Sequence, residues 1–81
     1  MNFTQIAEWD EASRVLKQNV AVIPLGQGFT IRQIIGETAW APLQRKTRHH
    51  FGRHVRRNLE QYGLVFAHMA GRVLVYKKSA I

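Results

Sequence analysis

The segment Arg45-Lys46-Thr47-Arg48-His49-His50-Phe51-Gly52-Arg53-His54-Val55-Arg56-Arg57 holds six of the chain's twelve lysines and arginines, three histidines and no acid. A run of permanent cations rich in guanidinium groups suits one chemistry above all, the binding of phosphate oxyanions. Drawn as a helix at about 100° per residue, it divides into two faces. Leu43, Thr47, Phe51, Val55, Leu59 and Tyr62 fall on one stripe; Arg45, Lys46, His49, Arg53, Arg56 and Arg57 fall on the other. Like charges crowded on one side repel one another unless a polyanion is present, so this face predicts a nucleic-acid partner.

The rest of the chain supports a directed cationic surface. Residues 1–44 carry three bases and four acids, a net charge of −1; residues 45–81 carry nine bases and one acid, a net charge of +8. The 81 residues make one domain, 1–81, with 46% hydrophobic residues, enough for a globular core. Without cysteine there is no disulfide framework and no thiolate metal site. No apolar run approaches the ~18 residues of a membrane span and no signal peptide is visible. The expectation is a soluble, cytoplasmic protein that does not engage a membrane.

Catalytic patterns are absent. Ser13 and Ser79 have no nucleophile context, and Gly26-Gln27-Gly28 lacks the continuation of a phosphate loop. Glu8, Asp10 and Glu11 read as partners of the dipole at the start of their own helix. His50 and His54, four apart, have a chelating spacing but no third ligand nearby. No enzyme activity, cofactor or metal is expected.

These residues need a scaffold, and the patterning predicts its elements in order. Phe3, Ile6, Trp9/Ala12, Val15 and Leu16 give one buried stripe of a first helix, capped by Thr4 and closed at Gln18-Asn19. Val20-Ala21-Val22-Ile23 reads as a short strand ended by Pro24, with Phe29 adding one strand position after the turn. Thr30-Ile31-Arg32-Gln33 has the form of a capping box opening a brief helix that ends at Gly36. Residues 37–43 connect, with room for one helical turn. The basic helix is expected from Gln44 to Tyr62, stopped by Gly63. Gly52 inside it costs roughly 1 kcal/mol relative to Ala, either because a neighbour packs closely or as a tolerated defect. Leu64–His68 and Arg72–Tyr76 form a β-hairpin turned by Gly71. Trp9, Trp40, Phe29, Phe51 and Phe66 are assigned to the core, and Tyr76 is left at the hairpin surface.

Helix, short strand, short helix, long basic helix and hairpin is the order of an α+β winged helix-turn-helix. In that frame Gln44, Arg45, Lys46 and His49 face base edges, while Arg53, Arg56 and Arg57 meet phosphates. Thr30, Arg32 and Gln33 anchor a phosphate at a helix start, and Arg72 or Lys77 serves from the hairpin. The expected partner is DNA, with a transcriptional regulator as the role. Structured RNA and an acidic protein surface are the alternative partners. A single module binds weakly, so a homodimer is anticipated, with the first helix (Trp9, Val15) as the candidate contact.

From Gly28 onward the chain also resembles a family of small bacterial and phage domains of unassigned activity. The matching residues are Phe29-Thr30-Ile31-Arg32-Gln33-Ile34-Ile35-Gly36, Trp40, Leu43, Arg48, Gly52-Arg53, Val55 and Tyr76-Lys77. Their pattern is Phe-Thr-apolar-x-Asp-Leu-Phe, Trp-x-x-Leu, Arg-x-x-x-Gly-Arg-x-Phe and a terminal Tyr-x-Lys. Gln33 stands where the pattern has Asp, and Val55 where it has Phe. The resemblance implies a compact winged-helix-like domain in a bacterial or phage setting. It also suggests that Arg48, beside the apolar stripe, is structural, its stem on Trp40 and its head paired with Glu37.

Overall fold

A computed structural model describes residues 2–80. Its first helix, α1 (Phe3–Val20), is capped by Asn2 and not by Thr4. The Asn2 side chain accepts the Gln5 N–H at 2.9 Å, and the Gln5 side chain accepts the Asn2 N–H at 3.1 Å. Ala12, Leu16 and Val20 form its buried stripe. Phe3 (92% exposed) and Ile6 stand outside it, against expectation, because the layer under α1 begins only at Glu8 and Trp9.

The strand expected at residues 20–23 does not form. Val20 is 5% exposed as the last core residue of the helix, so burial overrides β-propensity there. Val22 and Ile23 both donate their N–H to the Asn19 carbonyl at 3.1 Å, closing a turn. The Asn19 side-chain amide donates to the Ile34 carbonyl at 2.7 Å, tying the end of α1 to the next helix.

Phe29 makes the single strand position expected of it, pairing antiparallel with Tyr76 through two 2.8 Å backbone bonds. Gly28 precedes it for a steric reason: a Cβ there would lie 2.7 Å from Val75 Cγ1. Helix α2 (Ile31–Ile35) opens with the Thr30/Gln33 capping box and ends at Gly36, whose φ of 87° favours glycine. One turn, α3 (Glu37–Trp40), follows.

The basic helix, α4, is shorter than its periodicity suggests, running Arg45–Arg57 instead of 44–62. Asn58 breaks it at φ −135°, ψ 40°, and its side-chain amide donates to the His54 carbonyl at 2.8 Å. A 3₁₀ turn, Leu59–Tyr62, then brings Tyr62 back onto the same buried stripe before Gly63 (φ 69°) ends it.

Strands β1 (Leu64–Ala70) and β2 (Val73–Lys78) form an antiparallel hairpin around Gly71-Arg72, with a bulge between Phe66 and His68. β2 has β1 on one side and Phe29 on the other. Tyr76 is therefore central and fully buried, not at the surface. Phe66 packs edge-on against it from the outer strand and, lacking cover on its far side, is 52% exposed rather than core. The architecture is α+β: four helices and a two-stranded hairpin around Leu16, Phe51, Val55, Leu64 and Tyr76.

Candidate nucleic-acid interface

Thr47, Phe51 and Val55 seat α4 on the core, and this fixes where its cations point. Arg45, Lys46, His49, Arg53, Arg56 and Arg57 are all exposed. The helix has no side-chain cap of its own. Glu8 of α1 supplies one, accepting the Gln44 N–H at 3.1 Å and the Thr47 hydroxyl at 2.7 Å. Glu8 thus serves the start of α4 and not that of its own helix, whose first turn contains no acid. A carboxylate is favoured there by the free N–H groups and the helix dipole.

The cations do not form a flat face. They wall a groove of about 690 Å³ between α4, the start of α2 and the hairpin. Arg45, Arg48, His49, Arg53 and Arg56 line it from α4, Arg32 from α2 and Arg72 from the hairpin turn, with Trp40 at its side and the buried Tyr76 beneath. No acid borders it.

Of the residues expected at the interface, the groove gathers Thr30, Arg32, Arg45, His49, Arg53, Arg56 and Arg72. Gln44, Lys46, Arg57 and Lys77 are exposed outside it. Arg57 lies with Arg56 on a second hollow that also includes Glu60. Thr30 and Gln33, expected to help anchor a phosphate, bond one another in the capping box.

Arg32 is ion-paired with Glu37, its Nη2 donating at 3.1 Å and its Nε also engaged. This hydrogen bonding raises the pKa of Arg32 and holds the Glu37 carboxyl below its ordinary range; the Arg48 charge adds a weaker pull on Glu37. Arg48 was expected to take Glu37 as its partner, but Arg32 occupies that carboxylate. Arg48 instead borders the groove, with its Nε buried and without a hydrogen-bond partner.

Among the groove residues that escaped the sequence reading are Arg48 as a wall residue and Tyr76 beneath it. The first had a signal. Arg45, Arg48/His49, Gly52/Arg53 and Arg56 recur at three- and four-residue steps, the spacing of one helical stripe. Tyr76 had none, because its burial depends on pairing with Phe29.

His54 faces away from this chemistry. It bonds the Tyr62 hydroxyl at 3.0 Å and the Asn58 amide at 3.2 Å, and its ring packs 4.8 Å from that of Trp9. The Tyr62 hydroxyl also meets Ser13 at 2.9 Å, so this network joins α1, α4 and the 3₁₀ turn. Among the described residues no group of three His, Asp or Glu is placed to hold a metal, and no helix is long and apolar enough to cross a membrane.

No protein-family model matches the chain, and neither a curated protein nor a solved structure matches it.

Proposed function

We propose that this chain is a nucleic-acid-binding domain that takes duplex DNA against α4 and acts as a small transcriptional regulator. In this reading the molecule works as a winged helix-turn-helix. α4 is the helix that meets the duplex, and the turn at Gly71-Arg72 is a short wing. The observation that carries it is the groove wall of cations from α4 and the hairpin turn, which no acid lines among the described residues. Among the described residues, no ion pair engages Arg45, Arg48, Arg53, Arg56 or Arg72. Unneutralised guanidinium groups crowded in a concavity are a destabilising arrangement by themselves and a favourable one around phosphates.

The internal Glu8 cap refines which part of α4 would read DNA. With Glu8 on the first turn, that end is already occupied by a carboxylate, which repels phosphate. Contact would therefore run along the flank Arg45–His49–Arg53–Arg56 and not through the helix tip.

Fluorescence anisotropy with labelled DNA duplex, RNA duplex and poly-glutamate between about 50 and 200 mM salt tests the proposal. Four or five free arginines predict a log K against log salt slope of roughly −4 on duplex DNA. Absence of duplex binding at the lowest salt, or binding with no salt dependence, would overturn it. Tighter binding to RNA or poly-glutamate would reassign the partner.

A further inference from the structure

The groove floor holds two polar groups that the fold leaves without partners. Tyr76 has no exposed surface, yet its hydroxyl makes no hydrogen bond, and the Arg48 Nε is likewise buried and unpartnered. An unsatisfied buried donor is destabilising, more so when it is charged. The ring of Tyr76 packs with Phe66, a role that phenylalanine would fill equally well, so packing does not account for the hydroxyl. Burial raises the pKa of that hydroxyl despite the opposing charge of Arg56. Arg53 and Arg56 stand exposed at the rim, and Gly52 leaves the backbone bare between Arg48 and Arg56: a Cβ there would meet nothing within 4 Å. The site is thus rich in donors, and no carboxylate lines it.

We propose that the groove holds a phosphate-seating subsite, in which a side-chain shift at the rim uncovers the Tyr76 hydroxyl and the Arg48 Nε–H to donate to one oxyanion that Arg53 and Arg56 admit and hold. The proposal deepens the nucleic-acid reading and rests on the same groove. The oxyanion is a phosphate in either case, whether of a nucleic-acid backbone or of a free phosphate compound. Arginine's planar fork suits either source, and a tyrosine hydroxyl adds a neutral donor that does not repel the neighbouring guanidinium groups.

The test follows arginine Nε–H resonances by NMR while inorganic phosphate replaces chloride at constant ionic strength. The wild-type Arg48 signal should shift saturably. Tyr76→Phe should weaken phosphate binding about fivefold or more, the loss of one hydrogen bond. It should do so with an unchanged or higher melting temperature, because an unsatisfied group has been removed. Arg48→Lys, which keeps the charge but removes the Nε donor, gives the same comparison independently of how Tyr76→Phe folds.

A second arm titrates a short DNA duplex against the same variants. Parallel losses on phosphate and duplex identify the backbone as the source. Saturable phosphate binding without any duplex binding supports the subsite, assigns it to a free phosphate compound and overturns the nucleic-acid reading. An unmoved Arg48 signal, with duplex affinity equal in all three proteins, overturns the subsite and leaves the nucleic-acid reading standing.

Discussion

Glu8 on α1 and Thr47 on α4, 39 residues apart, are joined by a 2.7 Å hydrogen bond from the Thr47 hydroxyl to the Glu8 carboxylate. The same carboxylate takes the Gln44 N–H. Thr47 is 1% exposed, so its hydroxyl needs this acceptor. One side chain of the nearly neutral half of the chain thereby sets the starting point and tilt of the cationic helix.

Replacing Glu8 with Ala should destabilise the domain by about 0.5–2 kcal/mol, the range for a lost helix cap, and Thr47→Val should cost less once Glu8 is gone. Urea denaturation of the two single variants and the double variant measures the coupling. Additive losses would mean that the pair does not act together.

Gly52→Ala should raise helix stability by roughly 1 kcal/mol, since nothing lies within 4 Å of the added carbon. The same methyl would stand in the groove, so duplex binding should weaken while the melting temperature rises. A variant that is more stable and binds equally well would show that ligands do not reach the bare stretch of α4.

Arg56→Ala should weaken binding to every duplex and reduce the salt slope by about one unit. Arg45→Ala should cost roughly 1–3 kcal/mol mainly on a preferred sequence. Lys46→Ala and Arg57→Ala, outside the groove, should each cost less than Arg56→Ala on the same duplex. Anisotropy titrations at several salt concentrations separate these behaviours, and equal losses from all four variants would point to a diffuse charge effect instead of a groove.

Glu37→Gln should free Arg32 and steepen the salt slope on duplex DNA by about one unit. It should also change the pH profile of stability. The Glu37 carboxyl is held below its ordinary range by Arg32, so its contribution is present above that range and lost as pH falls through the lowered value. Melting curves of the variant and wild type should therefore differ near neutrality and converge as pH falls below the ordinary carboxylate range.

Local signals carried far in the sequence. The Thr30/Gln33 box, the Gly71 turn and the Thr47–Phe51–Val55 face each depend on residues within one or two turns, and each is observed. The exceptions have long-range causes. Val20 is helical because the core needs it there, and Tyr76 is buried because Phe29 pairs with it from 47 positions away in number. The break at Asn58 left no trace in the hydrophobic pattern, since the 3₁₀ turn returns Leu59 and Tyr62 to the same side. At the site, charge composition revealed the cationic helix. Only the position of the hairpin against it shows that Arg48 belongs to the groove wall and Lys46 does not.

The break at Asn58 also limits reach. Thirteen residues make a rod of about 20 Å, which spans roughly six base steps of a duplex at ~3.4 Å each. So short a footprint recurs many times in any genome. Addressing a single locus would require a second footprint laid down at a fixed spacing alongside the first.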